Sequence, residues 1–522
     1  MSSPIPTADL QRFRETAASL IPQLIERHEA PKSIIRFDPC ATTYLRYKPS
    51  SLFPVEELES RLWGKGDGFI IDFESHRTGY FSFDLAGEGD SVGDAPTRLR
   101  LVFGEVPGDV VEELDPAKSK SWISTSWYPD EIINIDECPS SVKLPRRYAF
   151  RYVRVQVLCG SKSYKIRFLN VKATAISSTV SLPPPFQAAD DLLKKIDEIS
   201  VITLRDCMTT IFEDGPRRDR RLWLGDLRLQ ALANYYTFKN YDLVKRCLYL
   251  FAGFPREDGS VPAAIFERPV TRRAGDYILD YDVLFGVTVL DYVEASGDKT
   301  TGHDLWQTVV NSTRNSVSSI STDGKFTPNK DVWVFLDWQD GLDRTTGAHA
   351  LIVFALKAVN RLASLLGYPC AIHTDIIAAS SETLSSTFDA EKGVFVSGPK
   401  RQVSWASQAW IALADIVPPE RAKVALVKAY NDPSATKAMT PYLFHYVTEA
   451  FARVGAKEEA MSLLLNYWGG MVRKGADTFW EAYDPADSMF SPYGDHLNNS
   501  YCHAWSCTPA YLLRSGLIPT EY

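Results

Sequence analysis

The first third of the chain alternates apolar and polar positions with a period of two. Leu99, Leu101 and Phe103 alternate with Arg98 and Arg100, and Val153, Val155 and Val157 alternate with Arg154 and Gln156. That period places every second side chain on one face, so it predicts strands with one buried side. Turn-rich stretches such as Glu88-Gly89-Asp90 separate them. The segment from Thr7 to His28 reads instead as an amphipathic helix interrupted by Pro22, and the domain is expected to begin with a helical arm. At Leu182-Pro183-Pro184-Pro185 the alternation stops, and the three prolines predict a stiff extended linker. The chain therefore divides into a β domain at 1–182 and a helical domain at 183–522.

Beyond the linker the pattern is helical. Ala348 to Leu366 is apolar nearly all the way round, ends at Gly367 and is followed by Pro369, as expected of a buried inner helix with a glycine cap. Comparable segments are predicted at 186–210, 223–251, 276–296, 303–320, 371–388, 402–415, 420–431, 440–453, 456–472 and 503–515. Their spacing follows no fixed period, which disfavours a superhelical repeat array and suits a closed ring of helical hairpins.

Composition narrows the function classes. With 522 residues and 45% hydrophobic content the chain can bury large cores. A net charge of -8 argues against nucleic-acid binding, which needs a concentrated basic surface. The start, Met1-Ser2-Ser3-Pro4-Ile5-Pro6, lacks the basic and continuous apolar stretches of a secretory signal, and no later run reads as long enough to span a bilayer. Eight cysteines, at 40, 138, 159, 207, 247, 370, 502 and 507, form no CxxC pair, so neither a metal site nor a disulfide framework is indicated. The expectation is a cytoplasmic protein with free thiols, no metal, no cofactor, and neither a nucleic-acid nor a membrane partner.

The densest chemistry lies in Phe212 to Asp226, where carboxylates, four arginines and Trp223 surround the turn at Gly215-Pro216. A solvated loop with surface ion pairs is one reading of such a charge run. Trp223 and Leu224 among the charges favour another, a sugar pocket. Glycoside hydrolysis needs one carboxylic acid to protonate the leaving oxygen and a second carboxylate to activate water, with an aromatic ring for the sugar's apolar face.

Asp214-Gly215-Pro216, Arg218, Asp219, Trp223 and Gly225-Asp226 resemble the signature of the inverting α-L-rhamnosidases. Gly475-Ala476-Asp477-Thr478-Phe479-Trp480-Glu481 is similar to that family's general-base segment, and Cys502-His503-Ala504-Trp505-Ser506 to the sugar-contacting segment after it. The resemblance implies a multidomain α and β chain, an N-terminal antiparallel β-sandwich followed by an (α/α)6 toroid. It also implies removal of terminal α-L-rhamnose with inversion. Asp219 would be the general acid and Glu481 the general base, their carboxyls about 6.5–9.5 Å apart so that water fits between. Asp214, Arg218, Trp223, Asp226, His503 and Trp480 would meet the sugar. Trp338 reads equally as a pocket wall or a core tryptophan, and Asp280 with Tyr281 forms a further acidic-aromatic cluster that could line the pocket.

Two features keep alternatives open. Many family members carry Glu where this chain has Asp219, so Asp214 or Asp226 could be the acid, or the chain could be an inactive carbohydrate-binding homologue. Arg217, Arg218, Arg220 and Arg221 would stabilise the Asp219 anion, whereas an acid needs its proton held. An inverting phosphorylase of the same architecture is the nearest mechanistic rival, with Glu481 set to repel its phosphate. Aglycone contacts are expected from 255–273 and 490–500, the substrate is expected to be a small soluble rhamnoside, and a homodimer is expected to cover apolar helix surface.

Overall fold

The computed structural model describes residues 5–520 apart from 44, 90–95, 114, 116, 180 and 369–371. Asp90, Pro369 and Cys370 lie outside the described residues.

The β domain is organised by one 22-residue strand, Gly68–Gly89. Its first part lies between Tyr148–Gly160 and Ser33–Pro39, and its second part between Tyr164–Ser177 and Ser140–Lys143, all antiparallel. The expected antiparallel β domain is present, its nine strands hydrogen-bonded in one continuous set because the long strand changes partners along its length. The period-two positions behave as expected. Leu99, Leu101, Phe103, Val153, Val155 and Val157 are buried in one core with Phe81, Phe83 and Phe168.

The helical arm is shorter than its sequence suggested. The helix runs over Thr7–Ser19, and Ile25–Glu29 is a strand that pairs with Tyr164–Ser177. Pro22 therefore ends the helix rather than kinking it, as its missing N–H and fixed φ favour. The arm packs on the helical domain, with Phe13 against Tyr249 at 5.7 Å and the Arg14 side chain donating to the Gly253 carbonyl at 2.7 Å.

After the linker, inner helices Leu224–Tyr236, Leu279–Ser296, Thr345–Leu366, Trp405–Leu413 and Pro441–Arg453 touch one another in that order. Helix Pro509–Arg514 closes the ring by packing on the first, and its Tyr511 ring meets His445 at 6.0 Å. Outer helices include Tyr241–Gly253, Lys299–Ser312, Pro419–Asn431 and Lys457–Arg473. The predicted segment 223–251 is two helices, because Lys239 adopts a left-handed φ of 55° and Asn240 caps a new helix by accepting from Leu243 N at 3.1 Å. Thr345–Leu366 overturns the expectation about apolar runs. Its 22 residues are long and apolar enough to cross a bilayer, yet most of its apolar window is buried inside the protein. Gly367 caps it at φ 79°, where a left-handed residue costs glycine least.

Buried ion pairs lock the two domains together. Arg147 of the sheet grips Glu213 with two hydrogen bonds of 2.7 and 2.8 Å, and Arg217 of the helical domain grips Asp109 at 2.7 and 2.6 Å. Removing one partner of such a pair strands the other charge, at a cost of about 3–5 kcal/mol.

Candidate active site

The site lies where several inner helices begin. Asp226 sits in the first turn of Leu224–Tyr236 and Tyr281 in the first turn of Leu279–Ser296, while Phe335 and Trp338 precede Thr345–Leu366. Glu481, Tyr493, His503 and Trp505 come from the long connection into the last inner helix. These side chains enclose a narrow inner pocket of about 60 Å³, shared also by Asp214, Asp219 and Trp223. Outside it opens a cleft of about 500 Å³ that shares Asp219, Trp223, Trp338 and Tyr493 with the pocket.

Glu481 is the most constrained carboxylate. One Arg218 nitrogen donates to both its oxygens at 2.9 Å, the Tyr493 hydroxyl donates to Oε1, and the Ser500 N–H donates to Oε2 at 3.0 Å. The Trp505 indole N–H holds its backbone carbonyl at 3.0 Å. Burial opposes the charge, but the Arg218 cation and the hydroxyl and amide donors outweigh it, leaving the carboxyl below its usual range.

The neighbouring acids are driven the other way. Burial, with repulsion from Asp219 and Asp226, lifts Asp214 well above the ordinary carboxylate range, and burial with the Glu481 charge does the same to Asp226. Both are thereby biased toward the protonated form, which can donate as well as accept. His503 stands among them, its Nε2 3.8 Å from Asp214 and its Nδ1 3.6 Å from Asp226. Burial lowers it to about 4, so the ring is neutral at pH 7. Asp226 Oδ1 and His503 Nδ1 are buried without a hydrogen-bond partner. Native proteins seldom leave such groups unpaired, and both border the pocket, as groups awaiting ligand hydroxyls would.

The four arginines do not converge on Asp219. Arg217 is spent on Asp109, Arg220 on the Pro216 and Arg147 carbonyls, and Arg221 stacks over Phe266 at 4.3 Å. Only Arg218 approaches Asp219, at 3.6 Å, and its shorter bonds go to Glu481. Arg220 turns the chain at a left-handed φ of 54°, and the other arginines of the run go to different partners.

Ile278, Phe335 and Trp505 add apolar lining to the pocket. Trp338 belongs to this aromatic wall, 5.2 Å from Phe335 and 6.0 Å from Tyr493. Gly225 lets the wall close. A Cβ there would fall 2.3 Å from the Tyr281 ring.

Two residues expected at the sugar lie elsewhere. Asp280 accepts the N–H groups of Phe335 and Leu336 at 2.9 and 3.1 Å, so it braces the aromatic wall from behind. Trp480 packs against Tyr483 and Tyr501 and does not line the inner pocket. The segment 255–273 borders a separate cleft near Arg14, whereas 490–500 does reach the site through Tyr493.

A family model for the bacterial α-L-rhamnosidase six-hairpin glycosidase domain matches residues 184–517, and one for the glycosyl hydrolase family 78 α-rhamnosidase N-terminal domain matches 31–175. The chain belongs to the family 78 α-L-rhamnosidases. Among solved structures, a rhamnosidase from Klebsiella oxytoca with rhamnose bound is 37% identical, with 99% of each chain covered and a TM-score of 0.94. The family 78 rhamnosidase of Bacillus sp. GL1 shares the fold at 22% identity and a TM-score of 0.75, over 90% of this chain and 49% of that one. A curated α-L-rhamnosidase from Formosa agariphila is 27% identical over 99 residues, 19% of this chain and about a tenth of that protein's length.

Sequence reasoning missed several residues of this rhamnosidase-family site. Tyr493 carries no local signal beyond its place in the 490–500 loop, and Phe335 reads as core. Trp122 and Trp127 of the β domain, which line the outer cleft, were detectable as two indoles within the polar stretch Ser121 to Ser126 and its edge.

Proposed function

We propose that this chain hydrolyses terminal α-L-rhamnosides with inversion at the anomeric carbon. One observation carries the assignment of roles. Among the described lining residues, Asp219 is the carboxylic acid that borders both the inner pocket and the outer cleft, while Glu481 borders the inner pocket alone. The glycosidic oxygen must lie at that junction, since sugar is on one side and leaving group on the other. Asp219 then protonates this oxygen as its bond to the anomeric carbon breaks. Glu481, kept ionised by Arg218 and Tyr493, takes a proton from the water that attacks the same carbon from the opposite face. Asp214, Asp226, Arg218 and His503 hold the ring hydroxyls, Trp223 and Trp338 flank the ring, and the apolar side made by Ile278, Phe335 and Trp505 receives the methyl group of a 6-deoxy sugar.

Proton NMR during early turnover tests the stereochemistry. β-L-Rhamnose should appear first from an α-linked substrate, without any need for phosphate; initial α product would refute inversion, and phosphate-dependent release would mark a phosphorylase. Glu481→Gln should leave less than about a tenth of the wild-type rate, a loss above 1.4 kcal/mol, while product binding persists.

The reading extends to a cytoplasmic location, supported by seven described cysteines that are all free, with Cys207 and Cys502 unbridged at 3.9 Å. It extends also to a homodimer, supported by an open apolar cleft bordered by Trp405, Tyr430, Phe444 and Leu463. Sedimentation at micromolar protein should show twice 58.5 kDa; a single species at that mass, unchanged with concentration, would remove the dimer.

A further inference from the structure

The cleft near Arg14 shares no lining residue with the sugar pocket or the outer cleft. It holds about 440 Å³ between the N-terminal helix Thr7–Ser19 and the turn that follows Pro255. Arg14, Arg256, Arg273 and Arg314 line it, against two carboxylates, Glu257 and Asp258. That local excess of cations stands out in a chain whose net charge is -8.

Main-chain carbonyls hold these arginines, and a carbonyl orients a guanidinium without cancelling its charge. Arg14 donates to the Gly253 carbonyl at 2.7 Å, Arg273 to that of Pro255 at 2.6 Å, Arg314 to that of Asp258 at 2.7 Å and Arg256 to that of Gly275 at 3.4 Å. The carboxylates offset them only weakly. The Glu257 side chain is 94% exposed and meets Arg273 at 3.3 Å, so water screens the pair. Asp258 stands 4.0 Å from Arg256, and its closer bonds come from the Ser260 N–H and hydroxyl, at 3.0 and 2.5 Å.

A buried side chain points to the same place. Gly259 turns at φ 80°, and the position a Cβ would take there lies 3.3 Å from Asn311 Nδ2 and 3.5 Å from Arg314 Nη2. Asn311 is 1% exposed, and its Nδ2 has no hydrogen-bond partner. Its oxygen already accepts from Gln307 at 3.0 Å and Arg314 at 3.4 Å, which leaves Nδ2 turned toward Gly259. Native proteins seldom leave a buried amide donor in that state. An oxyanion supplies what all these groups lack, since its oxygens accept several N–H bonds at once and its charge offsets the guanidiniums. Ile5, Leu10 and Pro255 add apolar lining for a carbon skeleton beside it.

We propose that this cleft binds a small phosphate- or carboxylate-bearing molecule, separately from the sugar pocket, and that the bound anion ties the N-terminal helix to the helical domain through Arg14. The proposal does not depend on the rhamnoside-hydrolase reading.

Titration calorimetry of the whole chain with pyrophosphate and with citrate, at fixed ionic strength and with L-rhamnose present, tests it. Rhamnose keeps the probes out of the sugar pocket. One probe or both should bind saturably with a Kd of about 1 mM or tighter, and the stronger of the two tells phosphate from carboxylate recognition. Arg14→Gln and Arg273→Gln, both at exposed positions and both expected to keep the wild-type circular dichroism, should each weaken binding about tenfold, as the loss of one charged donor predicts. Hydrogen exchange across residues 7–19 should slow when the better probe is added to wild type and stay unchanged in Arg14→Gln. No saturable binding, equal affinity in both variants, or binding that L-rhamnose abolishes would overturn the anion site. Unchanged exchange in wild type with the probe bound would overturn the tie to the helix.

Discussion

Replacing Tyr493 with phenylalanine isolates one of the forces that keep Glu481 charged. The Tyr493 hydroxyl donates to Glu481 Oε1, and its ring lies 4.4 Å from the Arg218 guanidinium and 5.6 Å from Trp122. Phenylalanine keeps the ring contacts and removes only the donor. A hydrogen bond to a charged group contributes about 1.5–3 kcal/mol, and one pH unit corresponds to about 1.4 kcal/mol. Glu481 retains Arg218 at 2.9 Å and the Ser500 N–H at 3.0 Å, so part of the loss is absorbed.

The sign follows from which form works. The hydroxyl stabilises the anion, so without it Glu481 takes up a proton at higher pH, and a protonated Glu481 cannot accept one from water. The acid limb of the kcat/KM profile should therefore move upward by about one pH unit. On the plateau the freed carboxylate is a slightly stronger base, and kcat should stay within about threefold of wild type. Initial rates on p-nitrophenyl rhamnoside across the acid range measure both quantities. An unmoved acid limb would refute the argument that Tyr493 tunes the base. A plateau loss above about a hundredfold with no shift would make Tyr493 a sugar-positioning residue instead.

Asp219→Asn should cost far more with alkyl or sugar leaving groups than with nitrophenol, which departs with little protonation; equal losses would pass the acid role to Asp214 or Asp226. Gly225→Ala should push the Tyr281 ring out of the wall, since the new methyl would sit 2.3 Å from it, lowering kcat/KM and costing about 1–3 kcal/mol in urea unfolding; unchanged values for both would show that the wall yields freely. Arg147→Met, which strands the buried Glu213 carboxylate, should destabilise the protein by about 3–5 kcal/mol, and a loss below about 1 kcal/mol would show that the domains do not depend on this pair.

How far the sequence reaches depends on whether a signal is local. Alternation at Leu99 to Phe103 and at Val153 to Val157 is a local property of a half-buried strand, and it was readable. The glycine stop at Gly367 was readable for the same reason. The strand Ile25–Glu29 was not, because Glu26, Arg27, His28 and Glu29 hide its period, and only pairing with residues 173–177 makes it a strand. Helix boundaries inside 223–251 depended on one left-handed lysine, which composition does not announce. At the site, the two motif blocks brought Asp214, Asp226, Glu481 and His503 to attention, while Tyr493, Phe335 and Trp122 enter only through tertiary contact. Asp280 and Trp480 show the converse. Adjacency in sequence to a site residue does not decide which way a side chain points.

The charge run at 213–226 shows why those limits matter for mechanism. Read as a string, its arginines should hold every neighbouring carboxylate in the ionised form, which is wrong for an acid. In the fold, Glu213 and Arg217 leave the run to bind Arg147 and Asp109 of the β domain, and Arg220 turns back to main-chain carbonyls. Those bonds fix the loop against the sheet, and they withdraw cations from the pocket at the same time. What remains at the pocket is one arginine committed to Glu481, two buried acids raised above the ordinary carboxylate range, and Asp219 at the mouth. The β domain thus takes up charges that would otherwise bear on the pocket, where burial raises Asp214 and Asp226 while Arg218 holds Glu481 below its usual range. The sheet domain contributes to the chemistry although, among its described residues, those that border the cleft lie between Trp122 and Trp127.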